Sequence, residues 1–198
     1  MANQTRDRLL EAAWSRVREG GVAAATSRSI TSEAAANLGA ITYHFGSKDE
    51  LVAQALVAAI RRLIQPALDA LQEDVTDPVT GMLRALGRLQ DSLAESAKDA
   101  PAYLEALVST RHVRAVHEQV SQLFAELRNV LAHQISGQRA GGSLPAWVDP
   151  EPMAALLLAV AQGVVLQITV EPEGPQQSAM ANQFAQLLIA SRQTPSTG

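Results

Sequence analysis

Leu10, Ala13, Trp14 and Val17 fall at the i, i+3, i+4, i+7 spacing that stacks side chains on one face of a helix. The pattern predicts a first helix over about 5–19, stopped at Gly20-Gly21. Two short segments follow, Ser27–Ala35 and Leu38–His44, with Asn37 placed to cap the second. Ser47 and Glu50 carry the spacing of a capping box and open a fourth helix. Its apolar face is Leu51, Ala55, Leu56, Ala59, Ile60 and Leu63, and Pro66 is expected to kink it or to end it near Ile64.

Prolines mark the later helices. Asp77-Pro78, Ala100-Pro101 and Asp149-Pro150 each read as a helix entry, because a first-turn residue loses nothing by lacking an N–H. A long helix is expected over about Arg114–Ser136, a loop over 137–148, and an eighth helix over Pro150–Val170. Pro172-Glu173-Gly174-Pro175 breaks the chain before a ninth at about Gln176–Ser191, and Thr194–Gly198 reads as a frayed tail. The eighth helix is apolar from Met153 to Leu166 except at Gln162 and Gly163. That stretch is shorter than the roughly 20 residues of a membrane span, so it reads as a helix with one face on the core and another on a second subunit.

Composition agrees with an all-α chain. Of 198 residues, 35 are alanine, the best helix former, and only 4% are aromatic. There are no cysteines, which excludes disulfides, thiolate metal sites and a cysteine nucleophile. The polar start Met1-Ala2-Asn3-Gln4-Thr5-Arg6 does not read as a signal peptide, and a cytoplasmic protein is expected. The net charge is −4, which on its face argues against a nucleic-acid partner. Its distribution removes the objection: residues 1–62 hold 8 Lys+Arg against 6 Asp+Glu, and residues 63–198 hold 8 against 14.

Enzymatic chemistry finds no support in the motifs. His112 and His117 are five apart and do not share a helix face as a two-histidine metal motif would. No glycine-rich phosphate loop follows a strand, and no nucleophile elbow is present. No catalytic residue, metal or cofactor is expected.

The weakly basic N-terminal part carries the informative pattern. Two short helices joined by a tight turn, between longer ones, are a helix-turn-helix in outline. Within it stand Thr26-Ser27-Arg28-Ser29-Ile30, then Tyr43-His44-Phe45 and Ser47-Lys48-Asp49-Glu50-Leu51. These residues, at this spacing, resemble the DNA-binding domain of the TetR family of bacterial repressors over about residues 5–60. The resemblance implies a helix-turn-helix domain at 1–46 (motif about 26–45) and a larger helical domain at 47–198 for ligand binding and dimerisation, about nine helices in all. It implies a homodimeric regulator on a double-stranded DNA operator, released by a small-molecule effector, with no membrane partner. A helical scavenger of small molecules that binds no operator is the competing reading.

The candidate DNA-contacting residues follow from the motif and from physical chemistry. Thr42 and Tyr43 would face base edges, with Leu38 and Ala40 offering only apolar contact and Asn37 at the helix entry. His44 and Lys48 follow at the exit, where Lys48 can meet a phosphate beside a helix N-terminus. Thr26, Ser27 and Arg28 would anchor neighbouring phosphates. Each has a plainer role open to it: packing for Tyr43, capping for Thr26 and His44, a solvated charge for Lys48. Trp14, Ile30, Ala34, Ile41 and Phe45 would form the small core beneath. The chain departs from the family pattern at Ala35 and Ala36, where Gly and then Val are usual. A left-handed Ala35 would cost roughly 1 kcal/mol.

In TetR-like proteins the last two helices pair across the dimer. The matching positions here are Leu156, Val160, Gly163, Val164 and Gln167 on the eighth helix and Phe184, Leu187 and Leu188 on the ninth. A mostly apolar pocket is expected among Leu63, Met82, Leu86, Leu107, Val116, Val120 and Phe124. Tyr103, His112 and Gln162 would be its polar groups, for an uncharged or weakly polar ligand.

Overall fold

The structure, a computed structural model, describes residues 2–73, 78–95, 99–109, 111–171 and the single positions 179, 183 and 186. Among the described residues the regular elements are all helices: α1 (Ala2–Ala24), α2 (Ser27–Glu33), α3 (Gly39–Phe45), α4 (Lys48–Gln72), α5 (Pro78–Glu95), α6 (Ala100–Ser109), α7 (Arg114–Ala140) and α8 (Pro150–Val170). The expected ninth helix and the tail lie outside the described residues, apart from those three single positions.

Glycine punctuation behaves as its chemistry requires. α1 is interrupted at Gly20-Gly21, where Gly21 adopts φ 75° and ψ −178°, a backbone region that only glycine enters readily. α4 does not end at Pro66 but runs through it to Gln72. The proline removes one intrahelical donor, and Ile60 before it and Ala70 after it are both buried. α7 likewise passes Ser136 and Gly137 and stops only at Ala140.

The ends of α2 and α7 share one backbone design with different residues. At α7, Gly142 takes φ 75°, its N–H reaching the Arg139 carbonyl at 3.1 Å and the Ser143 N–H reaching Gln138 at 2.9 Å. At α2, the Ala35 N–H reaches Ser32 at 3.3 Å and the Ala36 N–H reaches Thr31 at 2.9 Å. Both are the paired bonds of a Schellman ending, which needs a left-handed residue at its corner. At α2 that residue is Ala35, with φ 47°. Its Cβ makes the conformation costly, so Ala35→Gly is expected to stabilise the fold by about 1 kcal/mol. Thermal melting would show this as a rise of roughly 2–4 °C; no rise would mean that the turn holds no strain.

The chain forms two compact units. The first is residues 1–62 with 98–124, and the second is residues 63–97 with 125–198. In the first, α1 packs against α2, α3 and α6. The buried side chains there include Leu9, Trp14, Val17, Ile30, Ala34, Ile41, Phe45, Leu51 and Leu56, which contains the core expected from the sequence. In the second, Ile135, Val148 and Ala154 form a cluster covered by Leu131, Leu144, Met153 and Leu157. Trp147, the residue before Val148 in the chain, is 63% exposed.

Candidate nucleic-acid interface

The helix-turn-helix is built from short-range hydrogen bonds. Thr26 precedes α2 in extended conformation, and its hydroxyl accepts from the Ser29 N–H at 3.1 Å. The Ser29 hydroxyl accepts from the Thr26 N–H at 3.0 Å, closing a reciprocal capping box. Capping is therefore one role of Thr26. Ile30 and Thr31 point inward, the Thr31 hydroxyl donating to the Ser27 carbonyl at 2.8 Å. Arg28 points out, and no ion pair among the described residues engages it. Arg16, by contrast, is held by Glu19 at 3.0 Å and by Glu33, and Arg18 by Asp99 at 3.3 Å.

α3 has a strict inside and outside. Ile41 and Phe45, one turn apart, are buried, whereas Leu38, Gly39, Thr42 and Tyr43 are exposed. Tyr43 is 80% exposed, so the packing role left open for it does not apply. The half-buried His44 ring meets the Tyr43 ring edge-on, with centroids 4.8 Å apart. The side chain of Asn37 accepts from the Ala40 N–H at 2.9 Å, which makes it the cap of α3. Ala40 itself is half-buried. Gly46 closes the helix with φ 79°.

At the head of α4 the Ser47 hydroxyl accepts from the Glu50 N–H at 3.1 Å, one half of the expected capping box. The Glu50 carboxylate is used elsewhere, accepting from Gln54 at 3.1 Å and from Gln119 of α7. Lys48 sits at the first position of α4 and pairs with Asp49 at 2.8 Å. Thr26, Arg28, Thr42, Tyr43 and Lys48 thus all retain solvent access on α2, α3 and the α4 entry.

The residues expected around a ligand are distributed over both units. Tyr103, Val116 and Val120 lie in the buried core of the first. Leu107 and Phe124 are half-buried there, and His112 is exposed on the α6–α7 turn. Leu63 and Gln162 are half-buried in the second unit, and the side chains of Met82 and Leu86 lie outside the description. Burial pushes the Tyr103 hydroxyl up to about 12, so it remains a neutral hydrogen-bonding group at ordinary pH.

On α8, Leu156, Gly163 and Gln167 are exposed, while Val160 and Val164 are half-buried. Phe184, Leu187 and Leu188 fall outside the described residues. The exposed stripe runs through Leu156, Ala159, Gly163, Leu166 and Val170, with Val170 at 69% and Leu166 at 50% exposure. Ala159, Leu166 and Val170 were not among the sequence candidates. Their three- and four-residue spacing was readable, but a helix apolar all round does not say which face is left open. By length and composition alone, Lys48–Leu71 and Pro150–Gln167 are each apolar enough to cross a membrane.

Residues 9–55 match the family of bacterial regulatory proteins described as tetR, and residues 78–191 match the C-terminal domain of BetI-type transcriptional repressors. The chain belongs to the TetR family. The TetR-type regulator is 24% identical over 168 residues to the HTH-type transcriptional regulator PksA of Bacillus subtilis (strain 168), spanning 84% of this chain and 80% of that one. Its fold is that of a TetR-family regulator from Rhodococcus sp., with a TM-score of 0.78 at 17% identity over 94% and 98% of the two chains. It also matches the SmeT-triclosan complex, with a TM-score of 0.76 at 23% identity over 94% and 90%. The protein is therefore a DNA-binding transcriptional regulator of a family whose members are typically ligand-responsive repressors, bind operators as dimers and are not enzymes.

Proposed function

We propose that this TetR-family protein is a cytoplasmic homodimeric repressor without catalytic activity, cofactor or metal, which leaves a palindromic operator when a small molecule binds. In this reading residues 1–46 bind DNA and residues 47–198 hold the ligand and the dimer interface. The observation that carries it is the exposed face of α3, where Thr42 and the 80% exposed Tyr43 stand over buried Ile41 and Phe45. An aromatic side chain so open to water has no packing role and suits a groove surface. Arg28, unpaired among the described residues, and Lys48 at the helix entry supply phosphate contacts to either side.

The α8 stripe is best covered by a second copy. Its midpoint is Gly163, where an added Cβ would meet nothing within 4 Å, so a partner helix can approach closely. A mostly apolar ligand is favoured by the aliphatic residues proposed around it, and the SmeT-triclosan complex is a precedent in a related fold.

The test is selection of duplexes from a random-sequence pool, followed by titration at several salt concentrations. Arg28→Ala is expected to weaken all duplexes and to lower the salt slope by about 1, as the loss of one phosphate contact should. Tyr43→Ala is expected to change the selected sequence while leaving that slope in place. Failure to enrich any sequence at low salt, with the protein folded, would favour the scavenger reading.

A further inference from the structure

We propose that Gln119 on α7 is a positioning residue for DNA binding, which sets the pose of α3 through a directed chain of polar contacts, Gln119–Glu50–Gln54–Arg6–Phe45. The Gln119 side-chain amide donates to Glu50 Oε1, and the same oxygen accepts from Gln54 Nε2 at 3.1 Å. The other end of that amide, Gln54 Oε1, accepts from Arg6 Nη2 at 2.7 Å. The Arg6 guanidinium in turn lies 5.2 Å from the centroid of the Phe45 ring, within cation–π range. Phe45 is the last residue of α3, and the next residue inward, His44, touches Tyr43. Four helices are linked, α7 to α4 to α1 to α3, all inside the first compact unit.

The chain has a fixed polarity. Arg6 can only donate and an ionised Glu50 can only accept, so the amide of Gln54 has one orientation that satisfies both. Gln119 must then present its donor end to Glu50. Apolar burial, here Val116, Val120 and Leu123 of α7, is non-directional and tolerates small rotations of a helix. Hydrogen bonds weaken steeply off their preferred angle, and those to charged groups are roughly twice as strong as neutral ones. The polar chain therefore fixes the rotational setting that the apolar core leaves loose. Glu50 shows the cost accepted for this link. It occupies the capping-box position and its N–H bonds Ser47, yet its carboxylate is turned to the two glutamines.

The inference rests on α3 being the helix that reads DNA. The test uses two probes, the duplex enriched from a random pool by the wild-type protein and an unselected random-sequence duplex. Gln119→Glu sets two carboxylates against each other and is expected to weaken binding to the enriched duplex about tenfold, the range seen for mutations along coupling networks. Binding to the unselected duplex and the salt slope should stay at wild-type values, because no phosphate contact is removed. Adding Glu50→Gln restores a donor opposite the new carboxylate and is expected to recover the enriched-duplex affinity. A merely structural role would lower binding to both probes in proportion to the folded fraction.

Wild-type affinity in folded Gln119→Glu, equal losses on both probes, or no rescue by Glu50→Gln would each overturn the proposal. Should Gln119→Glu not fold, Gln119→Leu carries the same test: a loss confined to the enriched duplex supports the proposal and no loss overturns it. Tyr43→Ala on the same probes separates the two levels. If it leaves base preference intact, the reading of α3 fails. If it alters preference while the Gln119 variants do not, only the positioning role fails.

Discussion

Leu166→Glu is expected to yield a folded monomer with operator affinity reduced by a hundredfold or more. Leu166 is half exposed on the open face of α8, one turn from Gly163 and one turn from Val170. In a twofold dimer a residue on this stripe appears twice, so one substitution places two carboxylates in an apolar interface. Burying these carboxyl groups, ionised or protonated, costs free energy that separation avoids, because both then stay in water. Each reading head keeps its own contacts but loses the effective concentration that the second head supplies, which is worth about 10²–10⁴ in avidity. Light scattering would read the mass, and a palindrome compared with its half-site would read the avidity. A dimer of wild-type affinity would move the interface off this face of α8.

Ile30→Ala is expected to cost about 3 kcal/mol of stability, the middle of the range for emptying a buried isoleucine site. Ile30 is fully buried in the middle of α2, the helix that packs on α1 in the core with Trp14, Ile41 and Phe45. No exposed polar contact changes, so the effect isolates packing. Against a total of about 5–15 kcal/mol the loss is large, and for a chain of this length it corresponds to roughly 6–12 °C in melting temperature. Thermal or urea unfolding gives the number. DNA binding below the transition should be retained, which separates this variant from Arg28→Ala.

The sequence made the N-terminal elements legible because their signals are local. Caps at Thr26, Asn37 and Ser47 and the glycines at 20, 21 and 46 act within four residues, and they set the break in α1, both ends of α2 and α3 and the start of α4 to within a few positions. The cost suspected at Ala35 was legible for the same reason, since a Schellman corner has a known backbone demand. Pro66 was harder. A local rule kinks or ends the helix there without saying which, and α4 runs on to Gln72. The open face of α8 was hidden by uniform apolarity. The redirection of Glu50 was hidden by distance, because its partner Gln119 lies 69 positions away along the chain.

The two tryptophans report on different parts of the molecule. Trp14 is buried in the first unit among the residues that hold the reading head together, and Trp147 stands in water on the loop before α8. An aqueous quencher such as iodide will extinguish Trp147 and spare Trp14. The residual, blue-shifted emission is then an intrinsic optical signal for the reading head, available in the native sequence without any label.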